Sequence, residues 1–433
     1  MNALAVIDSP AASDETGLAP RFLSFMAQAS SFERADAVNA LARAYLHCDL
    51  KPETRAEAEL AMTLALDDPE PRVRRALAEA VAGARDAPRA LVLALAGDVS
   101  CVARAVLAQS PLLRDADLVD CAAIGDAKAQ TAIARRPRLS AAVSAALAEV
   151  GERAAVLALV GNHAAELATP TLWRCFERFA QDPELRARLA ERPALPAALR
   201  AALAAASTAA ADGDDPRRAE RNARDSREQA FLAIARACAA PELPELVAWL
   251  RTEGHLTVAL LLRALACGET AVFAQCLAEM SGLPAARVAG LVASPRGAGF
   301  AALYARAQMP AHLLPAFRIA AEAARDAVAG SGVDHRVAKS MLRAMEALHD
   351  PALAPVEAML WRLAGEATRA QAREAAALAL AAEEAVEIAP PALEPSAPPV
   401  LALNVEPGNE NFAPQIELDI ELDAAPEPAV LAA

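Results

Sequence analysis

A short segment of similar sequence recurs between residues 68 and 193, and this recurrence restricts the possible folds more than any other feature. The copies occupy residues 77–81, 107–111, 133–137, 159–163 and 189–193, so successive copies are 30, 26, 26 and 30 residues apart. The last position is proline in three of the five copies. Repetition at this spacing is typical of folds built from stacked helical hairpins.

Start and stop signals divide each repeat into helices. An acidic residue precedes each copy, and these residues are Asp68, Asp98, Asp126, Glu152 and Asp182. An acidic side chain near a helix start accepts hydrogen bonds from free N–H groups and suits the positive end of the helix dipole. Proline disfavours the helical conformation of the residue before it, which ends the helix. Start signals such as Ser140, Pro170 and Pro196 predict the second helices.

The composition supports an all-α chain. Apolar residues make up 55% of the sequence, largely as alanine, whereas aromatic residues make up 3%. Alanine favours helices, and aromatic and β-branched residues favour strands. Because one hairpin cannot bury its own apolar face, neighbouring units must stack. We therefore predict an all-α fold: an α-solenoid of HEAT-like helical hairpins, followed by a second helical domain and a disordered acidic tail.

The pattern of helices and breaks predicts five segments. They are a disordered N-terminus (1–20), the HEAT-like repeat domain (21–205), a linker (206–216), a second α-helical domain (217–385) and a disordered, acidic, proline-rich tail (386–433). Within the repeat domain, a continuous helical stretch is predicted over 21–46 and a second helix over 52–66. In the second domain helices are predicted over 230–239, 256–266, 271–280, 285–292, 301–307, 315–328, 337–348 and 355–385.

The negative charge of the chain is concentrated near its C-terminal end. The net charge is −14, but the residues from Glu383 onward include eleven acidic residues and no Lys or Arg. Without them the chain has 45 acidic and 42 basic residues. Proteins that bind phosphates usually carry a strongly basic domain, so nucleic acid is not the expected partner. Seven scattered cysteines, no apolar span and no secretory signal predict a cytoplasmic protein without membrane contact.

Two groups of residues are candidate partner-binding sites. In residues 415–423 apolar and acidic residues alternate, so Ile416, Leu418, Ile420 and Leu422 could add as a strand to a partner's sheet; a solubilising tail is the alternative. The spacing of Arg217, Arg221 and Arg224 places them along one side of a helix. Acidic residues are interleaved with them, which is typical of a solvated helix face.

No catalytic, cofactor-binding or metal-binding constellation is recognised, and we expect neither a cofactor nor a metal. No two of the six histidines have the spacing of a zinc motif. His47 and Cys48 are adjacent, and adjacent helical residues do not face each other. The short glycine pairs at 297–299 and 330–332 do not follow a predicted strand, so they indicate interhelical turns and no phosphate loop.

Residues 32–382 resemble a bacterial family named as domain of unknown function 2336. The resemblance is carried by Asp68-x3-Arg72-Val73-x3-Leu77-Ala78-Glu79, Val106-Leu107-x2-Ser110-Pro111-Leu112-Leu113, Ile133-Ala134-x-Arg136-Pro137-x-Leu139-Ser140, Leu260-Leu261-Leu262-Arg263-Ala264-Leu265 and Gly282-Leu283-Pro284. His163 departs from the proline of the repeat. The resemblance implies a helical-repeat fold and no particular activity.

The sequence leaves two functional hypotheses. The first is a non-enzymatic scaffold or adaptor that binds an unidentified partner protein through the repeat surface, with the acidic tail as a second binding or regulatory segment. The alternative is a nucleic-acid-binding repeat protein with a groove lined by Arg72, Arg74, Arg75, Arg217, Arg221 and Arg224. A helical-repeat enzyme would need titratable groups that converge in one pocket.

Overall fold

The regular structure of the protein is helical throughout the part that can be described. A computed structural model describes residues 17–207, 216–325, 335–346 and 353–388. Within these ranges the only β-type pairing is an isolated bridge between Leu139 and Ala165. The prediction of an all-α fold is confirmed.

The repeat region consists of short helices joined by turns. They are α1 (Leu18–Gln28), α2 (Ser31–His47), α3 (Pro52–Leu64), α4 (Pro71–Val81), α5 (Arg89–Ala96), α6 (Ser100–Gln109), α7 (Asp115–Ile124), α8 (Ala127–Ala134), α9 (Ala141–Val150), α10 (Arg153–Gly161), α11 (Thr169–Arg178), α12 (Pro183–Ala190) and α13 (Ala197–Ser207). The predicted start signals at Ser140, Pro170 and Pro196 fall within one residue of the first residues of α9, α11 and α13.

The continuous helical stretch predicted over 21–46 was wrong, because the chain leaves the helical conformation at Ser30. The Ser30 N–H donates to Glu33 Oε2 at 2.9 Å, and Ser30 Oγ accepts from the Glu33 N–H at 3.4 Å. This reciprocal capping box begins α2 and separates it from α1.

The second helical region follows most of the predicted elements. Its helices are α14 (Pro216–Ala237), α15 (Leu243–Thr252), α16 (Val258–Ala266), α17 (Thr270–Ser281), α18 (Ala285–Val292), α19 (Ala298–Arg306), α20 (Leu314–Arg325), α21 (His335–Glu346) and α22 (Ala354–Ile388). The helix α15 was not predicted, and α14 was predicted only over 230–239, although Arg217, Arg221 and Arg224 at its start were placed on one helix face. Mixed charges cover the start of α14, so its apolar face could not be recognised from periodicity alone.

Helices in the repeat region pack against the helix two positions further along the chain. In one row α2, α4, α6, α8, α10 and α12 contact one another in turn, and α7, α9 and α11 form a second row. The same next-but-one packing connects α13, α15, α17 and α19. This packing buries the apolar face that a single hairpin would leave exposed. The HEAT-like classification remains a prediction.

The apolar side chains form two clusters. One contains buried residues from Ala19 to Leu203, and the other contains buried residues from Ala197 to Ala364. Both belong to the first of two compact units, Met1–Gln371; the second is Ala372–Ala433. In the second unit, Leu378 and Leu380 are exposed. Most of the predicted linker lies outside the described residues, and so does the predicted tail beyond Ile388, the last residue of α22. The predicted domain boundaries stay predictions.

Aspartates at the turns connect successive units of the α2–α12 row. The paired side chains are Arg34 with Asp68 at 2.7 Å, Arg74 with Asp98 at 2.6 Å, Ser100 with Asp126 at 2.6 Å and Arg153 with Asp182 at 2.6 Å. Asp126 and Asp182 also accept hydrogen bonds from N–H groups of the helix that follows. Asp126 and Asp182 therefore cap helices, as predicted, whereas Asp68, Asp98 and Glu152 form no side-chain cap of the helix that follows them. All four turn aspartates bind a side chain of the preceding unit.

A second set of hydrogen bonds connects the C-terminal ends of α6, α8, α10 and α12. Arg136 donates to the carbonyls of Leu107 and Ser110 at 2.6 and 2.7 Å; Asn162 donates to those of Ala134 and Arg136 at 2.9 and 2.8 Å; Arg192 donates to those of Val160 and Asn162 at 2.8 and 3.0 Å. A helix C-terminus leaves carbonyls without intrahelical partners. Each polar side chain here satisfies carbonyls of the preceding unit.

Removal of the Arg136 side chain tests this set of hydrogen bonds. Arg136→Ala leaves the Leu107 and Ser110 carbonyls without their donors in a half-buried position, so we expect a loss of about 1–3 kcal/mol of unfolding free energy. Urea unfolding followed by circular dichroism measures the change. The control is Arg138→Ala, an exposed arginine two residues away, for which a change below about 0.5 kcal/mol is expected. Equal effects of the two substitutions would contradict the interpretation.

The lowered pKa values of the turn aspartates Asp68 and Asp98 predict that the folded state loses stability in acid. Burial raises the pKa of Asp98, but the hydrogen bond and charge of Arg74 and the hydrogen bond from the Val99 N–H outweigh it, so the pKa lies below its ordinary value. The same balance, with Arg34 as the partner, lowers the pKa of Asp68. The unfolded chain therefore takes up protons first as the pH falls, and stability is lost below about pH 4.

Urea unfolding at a series of pH values checks this expectation. Asp98→Asn should lower the free energy of unfolding at neutral pH and make its decline in acid shallower, because one lowered pKa has been removed. Asp36→Asn replaces an exposed aspartate on α2 and serves as the control. If the free energy of unfolding of Asp98→Asn fell as steeply in acid as that of the wild type, the Arg74–Asp98 pair would not be a cause of the acid sensitivity.

A groove on the outer face of the repeat helices

The outer face of α10 differs from those of the helices on either side of it. Ala154, Leu157, Ala158 and Gly161 lie on its outer side, where Ala154 and Gly161 are exposed, Ala158 is half-buried and Leu157 is only 7% exposed. Ala155, Val156, Leu159 and Val160 are fully buried. At the repeat spacing of 26 residues, α8 and the residue after it carry Lys128, Thr131, Ala132 and Arg135 at the corresponding positions. At 30 residues, α12 and the residue after it carry Glu184, Ala187, Arg188 and Glu191. Small apolar side chains are thus flanked by longer polar ones.

These differences in side-chain size produce a groove of about 490 Å³. Ala154, Leu157, Ala158 and Gly161 of α10 form its floor. Arg135 lies on one wall, and Glu184 and Arg188 lie on the other. A Cβ atom at Gly161 would lie 2.9 Å from Arg188 Nη1, so the glycine lets this guanidinium lie close to the floor. Pockets of several hundred Å³ are the size that ligands and anchoring side chains occupy.

The groove has an excess of positive charge. Its lining residues include Arg135, Arg153 and Arg188 and one acidic residue, Glu184. Glu184 lies between two of the arginines, with Oε2 at 2.9 Å from Arg153 Nη2 and Oε1 at 3.2 Å from Arg188 Nη2. Arg153 also pairs with Asp182, and these contacts raise the pKa of its guanidinium, the hydrogen bond that it donates to Asp182 being the largest cause. Arg135 is exposed and forms no ion pair within the described part of the chain.

The groove includes none of the predicted binding residues that the structure describes. Arg217, Arg221 and Arg224 are exposed on α14, which lies outside the groove. Ile416, Leu418, Ile420 and Leu422 lie outside the described residues.

The three arginines of α4 in the nucleic-acid hypothesis each contact another side chain. Arg74 pairs with Asp98 and Arg75 with Glu79, and the Arg72 guanidinium stacks 3.9 Å from the centre of the Phe32 ring. The carboxylates paired with Arg74 and Arg75 partly cancel the positive charge of these two side chains, which weakens the attraction of α4 for a phosphate backbone.

Sequence reasoning did not find the groove, although the sequence holds a signal for it. When the repeats are aligned, Ala154 and Gly161 of α10 correspond to charged residues in both neighbouring repeats. That comparison needs the register of the helices, which the structure supplies.

The buried thiols are poor nucleophiles. Burial raises the pKa of Cys175 and of Cys267 to about 11, and that of Cys276 to about 12. Because the thiolate is the reactive form, these side chains stay protonated and unreactive near neutral pH. Among the described residues, no group of three or more His, Cys, Asp or Glu side chains is arranged to hold a metal ion. None of the described helices is both long and apolar enough to cross a bilayer.

A buried ionic cluster lies in the second helical region. Arg263 of α16, which is 1% exposed, pairs with Asp225 and Glu228 of α14 at 3.0 and 3.2 Å and with Glu366 of α22 at 2.8 Å. Thr257 donates to Glu228 and Gln229 donates to Glu366. Burial raises the pKa of Glu228 despite its contact with Arg263. The cluster connects three helices, and its hydrogen bonds are satisfied within the protein, so it forms a structural core and no open site.

Two comparisons with known proteins found nothing and one found a family. A family model described as an uncharacterised protein conserved in bacteria, domain of unknown function 2336, matches residues 102–353. The searches of curated proteins and of solved structures found no match to the chain. The matched residues include α8, α10 and α12, which form the groove, and most of the second helical region.

The buried cluster predicts a large effect of substitution at Arg263. Arg263→Leu leaves three carboxylates without their shared cation, so we expect a loss of about 3–5 kcal/mol in the free energy of unfolding. Glu228→Gln should cost less, because burial already disfavours its ionised form. Arg296→Leu breaks the exposed pair with Glu322 and is the control, with little change expected. Urea unfolding ranks the three variants, and a smaller loss for Arg263→Leu than for Glu228→Gln would refute this assignment.

Proposed function

The chain belongs to a bacterial family described as uncharacterised, and for this member we propose a non-enzymatic scaffold or adaptor that binds a partner protein through the surface of α8, α10 and α12. The observation that carries the proposal is the groove over α10, where a small apolar floor is flanked by arginines. Protein interfaces favour an apolar centre, and arginine is enriched among the residues that dominate binding.

The chemistry of the groove supports binding over catalysis. Arginine is not deprotonated in proteins and is therefore a poor general base. The one carboxylate of the groove, that of Glu184, is held by Arg153 and Arg188. The groove residues offer no nucleophile with an adjacent base, which is the arrangement that covalent catalysis requires.

The packing of α10 supports a surface made for contact. Ala154 and Ala158 add little to the solubility of this face, whereas three of the four corresponding positions of the neighbours are charged. A partner that covers these alanines removes their apolar surface from water. The acidic segment 386–433 belongs to the same proposal as a second binding or regulatory segment, on the basis of its composition and the alternation over 415–423. Seven unpaired cysteines support a cytoplasmic scaffold.

Nucleic acid binding is the less supported alternative. The ion pairs of Arg74 and Arg75 reduce the positive charge available on α4.

Comparative affinity capture tests the proposed function. The full-length chain and two variants are used to capture proteins from a lysate of the source organism, and mass spectrometry identifies them. Ala154→Trp fills the floor of the groove and should lose a specific set of the captured proteins. Ala142→Trp makes the same change at an exposed position of α9 in the other row and should retain them.

The result is informative only if the variants are folded, which their urea unfolding curves establish. Retention of every wild-type partner by Ala154→Trp would exclude the groove as the binding surface. Absence of any protein enriched by the wild type over a resin control would exclude the scaffold proposal.

A further inference from the structure

The groove over α10 is specific in its chemistry, and this chemistry identifies a class of ligand. We propose that it binds an acidic peptide segment of the partner protein, with apolar side chains of the peptide on the α10 floor and its carboxylates held by Arg135 and Arg188. The inference rests on the proposed function and adds the nature of the bound segment.

Glu184 shows how a carboxylate sits in this groove. Its two oxygens contact Arg153 and Arg188 at 2.9 and 3.2 Å, and its side chain is 48% exposed. Ion pairs at such exposed positions are weak, because water screens them and both side chains lose freedom. A peptide carboxylate can therefore replace Glu184 at Arg188 at small cost, while Arg153 keeps its contact with Asp182 at 2.6 Å.

Arg135 does not pair with Glu184, so its positive charge can attract a peptide carboxylate. It lines the groove on the side of α8, opposite the Glu184–Arg188 wall, and has no ion-pair partner in the described ranges. Its planar guanidinium is suited to bidentate pairing with a carboxylate. Two arginines on facing walls fit a peptide with two acidic side chains, one for each wall.

The apolar floor distinguishes a peptide from other anions. Ala154 and Ala158 offer no side-chain hydrogen-bond donor to a phosphate, but together with the largely buried Leu157 they provide a surface for an aliphatic side chain between the acidic ones. A volume of about 490 Å³ holds a few side chains of an extended peptide. A peptide in which acidic and apolar residues alternate would direct its acidic side chains to the walls and its apolar side chains to the floor.

Selection from a library of random short peptides displayed on phage tests the proposal, with the full-length chain as the immobilised target. We expect the selected peptides to combine Asp or Glu with aliphatic residues. The affinity of a selected peptide is then measured by fluorescence anisotropy. Arg135→Glu and Arg188→Glu should each weaken binding by about tenfold or more, since each removes a charge-assisted contact and adds repulsion.

Glu184→Gln distinguishes competition with the peptide from a structural role of Glu184. Loss of a structural contact alone would not make the peptide bind more tightly. Removal of the competing carboxylate should strengthen peptide binding by about threefold, in line with the small free energy of an exposed ion pair. Arg138→Glu makes the same charge change as Arg135→Glu outside the groove and should have little effect. Ala154→Trp should abolish binding.

Several outcomes would overturn the proposal. They are the selection of no peptide, the selection of peptides without acidic residues, an effect of Arg138→Glu as large as that of Arg135→Glu, and tighter binding of a single-stranded oligonucleotide with the same dependence on Arg135. If Ala154→Trp loses captured partners while Arg135→Glu and Arg188→Glu keep them, the scaffold function stands and the acidic ligand is excluded.

Discussion

Hydrogen bonds from the side chains of one unit to the turns and helix ends of the next determine how the helices of the repeat region are arranged. Apolar burial favours stacking, but it is non-directional and leaves the register of one helix on the next open. The contacts of Arg136, Asn162 and Arg192 with carbonyls of the preceding unit fix that register at the C-terminal ends of α6, α8, α10 and α12. The Arg–Asp pairs fix the opposite ends. Burial lowers the pKa of Arg136, so part of its charge–solvent interaction is given up for these contacts.

The groove follows from this register. Because α8, α10 and α12 lie side by side in the same orientation, positions 26 or 30 residues apart form parallel lines across the surface. A helix with small outward residues between two helices with long ones must then leave a trough. The trough needs no strained backbone and no unusual helix. Arg135 and Arg188 come from the walls, whereas Arg153 is the first residue of α10, and the rest of α10 supplies the apolar floor.

Much of the fold could be predicted from the sequence, and the site could not, for a physical reason. Helix starts at Pro71, Ser140 and Pro183 depend on local chemistry within one turn, which the sequence states directly. The break at Ser30 was readable from the same rules and was missed because the apolar periodicity continues across it. The contacts of Arg136 and of Arg263, by contrast, reach 26 to 29 and 35 to 103 residues along the chain. Periodicity carries no information about such pairs.

Arg136 and Arg135 show why the groove was not recognised from the sequence. They are neighbours in the chain, yet Arg136 points inward to the Leu107 and Ser110 carbonyls whereas Arg135 points out into the groove. Clustering along the chain favoured Arg217, Arg221 and Arg224 as a binding set, but these share one helix face with acidic neighbours. The proposed binding surface is instead assembled from residues of three helical segments, which include Arg135, Ala158 and Arg188 and are far apart in the chain.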